Sequence, residues 1–161
     1  MAEARRLSHL DSRGRARMVD VAEKPVTLRV AQAEGQVILS REAFRLVRLN
    51  RIAKGDVLGV ARIAGIQAAK RTSEWIPLCH PIPLASVQVE LLLKPARRAV
   101  LIRCSASARW STGVEMETLS AVAAAALTIY DMCKSVDRGI RIEGIRLTLK
   151  RGGRSGEYRR S

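Results

Sequence analysis

Of the 29 cationic side chains in this chain only six are lysines, so arginine is used almost everywhere a positive charge is placed. A lysine can lose its proton when desolvated and act as acid or base, which an arginine cannot do. Four of the six stand where chemistry can be arranged: Lys54 in a Lys-Gly-Asp turn, Lys70 and Lys134 near predicted helix ends, and Lys150 at the exit of a predicted strand. Each is a candidate for proton transfer or phosphate contact. The plain alternative is a cation complementing a helix C-terminus. Asp131 and Lys134 lie three apart and so share one helix face. They read either as a helical ion pair or as a partly buried acid and amine that tune each other's proton affinity, because Tyr130, Met132 and Cys133 make this helix end apolar.

Two further segments carry reactive residue types. Leu78-Cys79-His80-Pro81 sits in the run Ile76 to Pro83, whose three prolines exclude both helix and central strand and predict a stiff extended loop. A cysteine and a histidine presented there can hold a metal, position a substrate, act as acid or base, or simply pack. Zinc is short of partners, since only His9 and two distant cysteines remain. Thr112-Gly113-Val114-Glu115 fits a capping box with Thr112 as N-cap, which accounts for Glu115 but not for Glu117. Glu115 and Asp131 are 16 positions apart in the sequence. A helix places such positions about 24 Å from each other, so one small-molecule site cannot use both ends within a subunit.

Positioning these residues requires an ordered frame. Val26 to Val30 and Gln36 to Leu39 have strand character, with Gly35 between them. Ser40 caps a predicted helix of about ten residues, and Asp56 a second that runs to about Ser73. Ser86 to Leu93 and Val100 to Ala108 alternate as strands joined by a hairpin, a long helix follows over Val114 to Val136, and Ile140 to Leu149 form the last strand. Without the first short strand the order is β-α-α-β-β-α-β. This is the α+β, ferredoxin-like split βαβ plan: an antiparallel sheet with helices packed on one face. Residues 1–17 read as a mobile basic arm, 18–150 as a single catalytic domain, and 151–161 as a flexible Gly- and Arg-rich tail.

Composition narrows the function classes. The chain has 161 residues, 47% apolar and 27% charged. That balance fits one globular domain and excludes general disorder. No apolar run approaches the ~20 residues of a membrane span. Residues 1–17 hold five arginines but no apolar core of a signal peptide, which predicts a cytoplasmic protein. Cys79, Cys104 and Cys133 are odd in number and widely spaced, so reduced thiols are expected. The net charge of +14 predicts an anionic partner, either a polyphosphate metabolite or nucleic acid, and the alternative reading is a basic nucleic-acid- or ribosome-binding protein. Aromatics make up 3% of the chain. That is too few for base-stacking platforms, so no specific nucleic acid is expected.

Five motifs in order, Lys54-Gly-Asp56, Ala61 to Thr72, Ile76-Pro-Leu-Cys-His-Pro81, Thr112-Gly-Val-Glu-Met-Glu117 and Ala126 to Lys134, resemble the MoaC family of cyclic pyranopterin monophosphate synthases, which act in molybdenum cofactor biosynthesis. The match extends from Met18-Val-Asp20 to Gly152-Gly-Arg-Ser-Gly156. The resemblance implies conversion of a cyclised guanosine triphosphate, (8S)-3′,8-cyclo-7,8-dihydroguanosine 5′-triphosphate, to cyclic pyranopterin monophosphate with release of diphosphate. It implies a homohexamer built as a trimer of dimers, with sites between subunits, and no cofactor or metal. By motif, Asp131 would be the catalytic acid/base, supported by Lys134, Lys54, Lys70 and His80. Leu78, Cys79, His80, Glu115, Met116 and Glu117 would contact substrate, and Lys150 and the tail would approach its phosphates. Arg154 stands where members often carry lysine, which keeps the charge.

Overall fold

The computed structural model describes residues 13–154 and 156–161. Residues 1–12, most of the arm expected to be mobile, lie outside the described residues. The elements run β1 (Thr27–Ile38), α1 (Arg41–Arg48), α2 (Val57–Lys70), α3 (Thr72–Trp75), β2 (Ser86–Lys94), β3 (Ala99–Trp110), α4 (Glu115–Cys133), β4 (Arg141–Arg151) and β5 (Tyr158–Arg159). The sheet order is β2-β3-β1-β4-β5 with every described pairing antiparallel. Four helices pack against this sheet, the α+β class that the alternation of strand and helix patterns predicts.

The first two predicted strands are one strand of 12 residues. Gly35 does not break it. A Cβ there would lie 2.9 Å from Cγ1 of Val122. The glycine therefore admits α4 to close contact with the centre of the sheet. Small residues continue that approach, with Ala33 on β1 and Ala121, Ala125 and Ala126 on α4 buried in one cluster with Val100, Ile102 and Ile129. Gly65 does the same for α2, where a Cβ would come within 3.0 Å of the Ala121 carbonyl oxygen.

Local signals set the helix boundaries. Ser40 Oγ accepts from the Ala43 amide at 3.2 Å, and Asp56 Oδ1 accepts from the Gly59 amide at 2.9 Å. Each satisfies a donor that the first turn leaves open. The second helix stops at Lys70, and Thr72–Trp75 forms a separate short turn before the proline-rich loop. Alternate residues of the strands, Gln32, Glu34 and Gln36 on β1 with Arg103 and Ser105 on β3, line grooves of about 500 and 430 Å³. In the tail expected to be flexible, Lys150 pairs with Tyr158 and Leu149 with Arg159, so that segment adds an edge strand.

Candidate active site

The C-terminal end of α4 gathers three charged groups. Lys134 Nζ lies 2.7 Å from Asp131 Oδ1, and Lys54 donates to Asp131 Oδ2 at 2.8 Å and to the Asp131 carbonyl at 2.9 Å. Gly55, at φ +97°, makes the tight turn that aims Lys54 here while Asp56 caps α2. Only a residue without a Cβ takes that conformation freely. The Lys134 ammonium first, and then that of Lys54, holds the Asp131 carboxyl down to about 2, and Asp131 in turn raises Lys134. The expectation of a partly buried pair needs correction: the Asp131 side chain is 56% exposed and Lys134 53%. Met132 and Cys133 are buried toward the core, so the apolar residues at this helix end point away from the acid.

The N-terminal end of α4 borders a cleft of about 300 Å³ shared with the proline-rich loop. Leu78, Cys79, His80, Glu115, Met116 and Glu117 all line it, so the structure does bring these six together. Glu117 is 3% exposed, and its Oε2 has no hydrogen-bond partner. Burial pushes its carboxyl up to about 7, against the pull of a hydrogen bond from its own backbone and with a small push from Glu115. Burial raises the Cys79 thiol as well, with a further push from Glu117.

The predicted capping box is absent. Val114 occupies the N-cap with no side-chain cap bond, and Glu115 instead reaches Lys150 Nζ at 3.1 Å. A cation on β4 offers that carboxylate more than a backbone amide does, and Thr112 is left to line the cleft. Lys150 therefore sits at this end, paired to a glutamate. Lys70, at the last turn of α2, lines a separate surface hollow with Ile82 and Leu84 and joins neither group.

Two contributions were not legible in the sequence. Val19, Val21 and Lys24, from the segment before β1, line the cleft; the scarcity of lysine is the signal that marks Lys24. Arg29 ties the chain entering α4, its Nε donating to the Trp110 carbonyl at 3.1 Å and its Nη2 to that of Ser111 at 3.0 Å. Gly152 and Gly153, at φ +100° and +79°, pass so close that side chains there would collide with the Leu28 carbonyl and the Arg29 guanidinium.

The chain thus carries two separate groups: Asp131, Lys54 and Lys134 at one end of α4, and the cleft residues at the other. Helical rise sets the two ends about 24 Å from each other. The first group offers a carboxylate between two ammonium groups, fit for proton transfer and for binding an anion. The second offers a half-open cleft of mixed polar and apolar lining with one buried acid, Glu117, fit for a heterocycle with polar edges. Among the described residues no group of three or more His, Cys, Asp and Glu could hold a metal ion, and no helix is long and apolar enough to cross a membrane.

A family model described as the MoaC family matches residues 18–153. The chain is 59% identical over 154 residues to a cyclic pyranopterin monophosphate synthase of Thermomicrobium roseum, spanning 96% of this chain and 93% of that one. It is 56% identical over 155 residues to the protein of that name from Cereibacter sphaeroides, spanning 96% and 98%. With the one from Chloroflexus aurantiacus it is 53% identical over 161 residues, spanning 99% of each.

Proposed function

The chain belongs to the MoaC family, and from that premise we infer that it is a lyase of molybdenum cofactor biosynthesis that converts (8S)-3′,8-cyclo-7,8-dihydroguanosine 5′-triphosphate to cyclic pyranopterin monophosphate and diphosphate. The observation that carries this reading is likeness over nearly the whole length of each relative. The direct test incubates the purified protein with the cyclised nucleotide and follows the pterin product and diphosphate. Turnover supports the reading. No turnover, together with tight binding of one nucleic-acid sequence at physiological salt, overturns it in favour of a nucleic-acid-binding protein.

In this proposal residues 18–150 act as one catalytic domain in the cytoplasm. The protein works as a homohexamer, a trimer of dimers, whose sites form between subunits. Asp131 moves protons during the ring rearrangement. Clamped by two ammonium groups it is a weak base, and it strengthens when the substrate's phosphates draw Lys54 or Lys134 away. Lys70, Lys150 and the tail add charge for the leaving diphosphate, while Leu78, Cys79, His80, Glu115 and Met116 shape the pocket for the ring. Lysine and arginine supply the needed charge, so the proposal includes no cofactor.

Glu117 gives this proposal a measurable pH dependence. The amino-pyrimidinone edge of the substrate presents paired N–H donors, which an ionised carboxylate accepts at both oxygens and with its charge, whereas a protonated one accepts at its carbonyl oxygen alone. With the carboxyl raised to about 7, binding below that pH requires loss of a proton from the empty site. The Michaelis constant should therefore fall as pH rises toward about 7 and then level off. In Glu117→Gln it should be higher and flat over that range. A wild-type Michaelis constant that does not change between about pH 5.5 and about pH 8 would remove Glu117 from ring recognition.

A further inference from the structure

Glu117 Oε2 and Ser120 Oγ are both buried on α4, and among the described residues neither has a hydrogen-bond partner. The two residues are 3% and 2% exposed. Standing three positions apart, they share one helix face, with Cβ atoms about 5–6 Å from each other. A hydroxyl inside a helix ordinarily turns back to a carbonyl of the preceding turn. Thr118 does so to the Glu115 carbonyl at 2.8 Å, and Thr128 to that of Ala124 at 2.8 Å. Ser120 leaves that bond unmade. It also heads a run of small residues, Ala121 and then Ala123 to Ala126, where one more alanine would fill the space without burying an oxygen. A buried hydroxyl without a partner destabilises a fold, so its place here calls for one.

We propose that Ser120 is a positioning residue for Glu117, its hydroxyl joined to the Glu117 carboxyl through one bound water that fixes where the acid points in the cleft. Water is the link because the two atoms are not bonded to each other as they stand, and a buried water needs polar partners on both sides. A hydroxyl both donates and accepts, so it completes the water's bonding in either proton state of Glu117. Bonds to the charged carboxylate are the stronger ones, and the net effect is to lower its proton affinity. Ser120 thereby opposes the burial that raises this carboxyl. The other groups around the acid do not supply that effect. Glu115 pushes in the same direction as burial and is itself paired with Lys150 of β4. Cys79 and His80 of the proline-rich loop and Lys24 of the segment before β1 line the cleft, but none of them hydrogen-bonds Glu117 Oε2. Arg29 of β1 is engaged with the Trp110 and Ser111 carbonyls. Lys70 of α2, the helix packed along α4, lines the separate hollow, and Glu74 of α3 is exposed.

The link between the two residues is tested without turnover. In the full-length protein, infrared difference spectroscopy across pH follows the carbonyl stretch of the protonated Glu117 carboxyl, and Glu117→Gln identifies that band by removing it. The wild-type midpoint is expected at about 7. That of Ser120→Ala should lie about one pH unit higher, the shift expected from loss of one hydrogen bond to a charged group. Ser120→Thr keeps the hydroxyl and should return the midpoint to the wild-type value. Ser120→Ala should melt no lower than the wild type, because alanine has the higher helix propensity and buries no hydroxyl. Equal midpoints in wild type and Ser120→Ala, a midpoint in Ser120→Thr as high as in Ser120→Ala, or no titrating band lost in Glu117→Gln would each overturn the proposal. Its bearing on catalysis rests on the reading of Glu117 as the acid that binds the ring. On that reading the Michaelis constant of Ser120→Ala at about pH 7 should rise roughly fivefold and converge on the wild-type value at higher pH, whereas a defect of packing would raise it at every pH alike. An infrared shift with an unmoved Michaelis constant would uphold the link and overturn the ring-binding reading alone.

Discussion

Asp131→Asn and Lys134→Ala should each lower turnover by about a hundredfold or more while leaving the fold intact, the usual loss when a positioned acid or base is removed. The fold should survive because all three side chains of the cluster are about half exposed. The same exposure argues that the cluster is not there for stability, since exposed ion pairs contribute little. The amide introduced by Asp131→Asn keeps a hydrogen bond to one ammonium but can neither take a proton nor balance two positive charges. Circular dichroism and thermal melting check the fold, and steady-state turnover checks the chemistry. Near-normal turnover in both variants would return the cluster to an ordinary surface salt bridge.

A second large effect is expected from mixing two dead enzymes. Glu117→Ala and Asp131→Asn should each be nearly inactive, yet exchange of subunits between them should restore about a quarter of wild-type activity, because half of randomly paired dimers are mixed and each mixed dimer holds one wholly wild-type site. The basis lies along α4, whose two ends, each bearing one of the proposed groups, are about 24 Å apart. Midway between them stand Ala123 and Ala124, with Leu127 beside them 61% exposed. A second α4 laid antiparallel over those small residues would bring Glu117 of one subunit to Asp131 of the partner subunit. Failure to regain activity, with exchange demonstrated by mass, would place a complete site in each subunit.

The fold was legible wherever one face of an element is buried. Strands β2 and β3 alternate cleanly and α4 carries long apolar stripes, so their positions followed from period alone. Gly35 misled because its two readings, a break or a close approach, have the same local sequence; only Val122, 87 residues later, distinguishes them. The site divides the same way. Asp131 and Lys134 are near in sequence and their contact was foreseeable. The bond from Lys54 to Asp131 joins positions 77 apart, and the pairing of Lys150 with Glu115 defeats a good local capping signal, because a cation brought by the sheet outcompetes a backbone amide. Lys24 went unread because nothing local ties the segment before β1 to the proline-rich loop.

The central place of β1 also governs the order in which the chain can assemble. It is the first strand synthesised, yet its neighbours are β3 and β4, so both of its edges await partners that begin 61 and 103 residues after its last position. The β2–β3 hairpin can form from contacts near in sequence, but both pairings of β1 close long loops, which costs entropy before any pairing compensates for it. Until residue 141 has left the ribosome, one edge of β1 has no strand to meet. Completion of the sheet is therefore a late event, and the segment most exposed to mispairing during synthesis is the strand that ends up central in it.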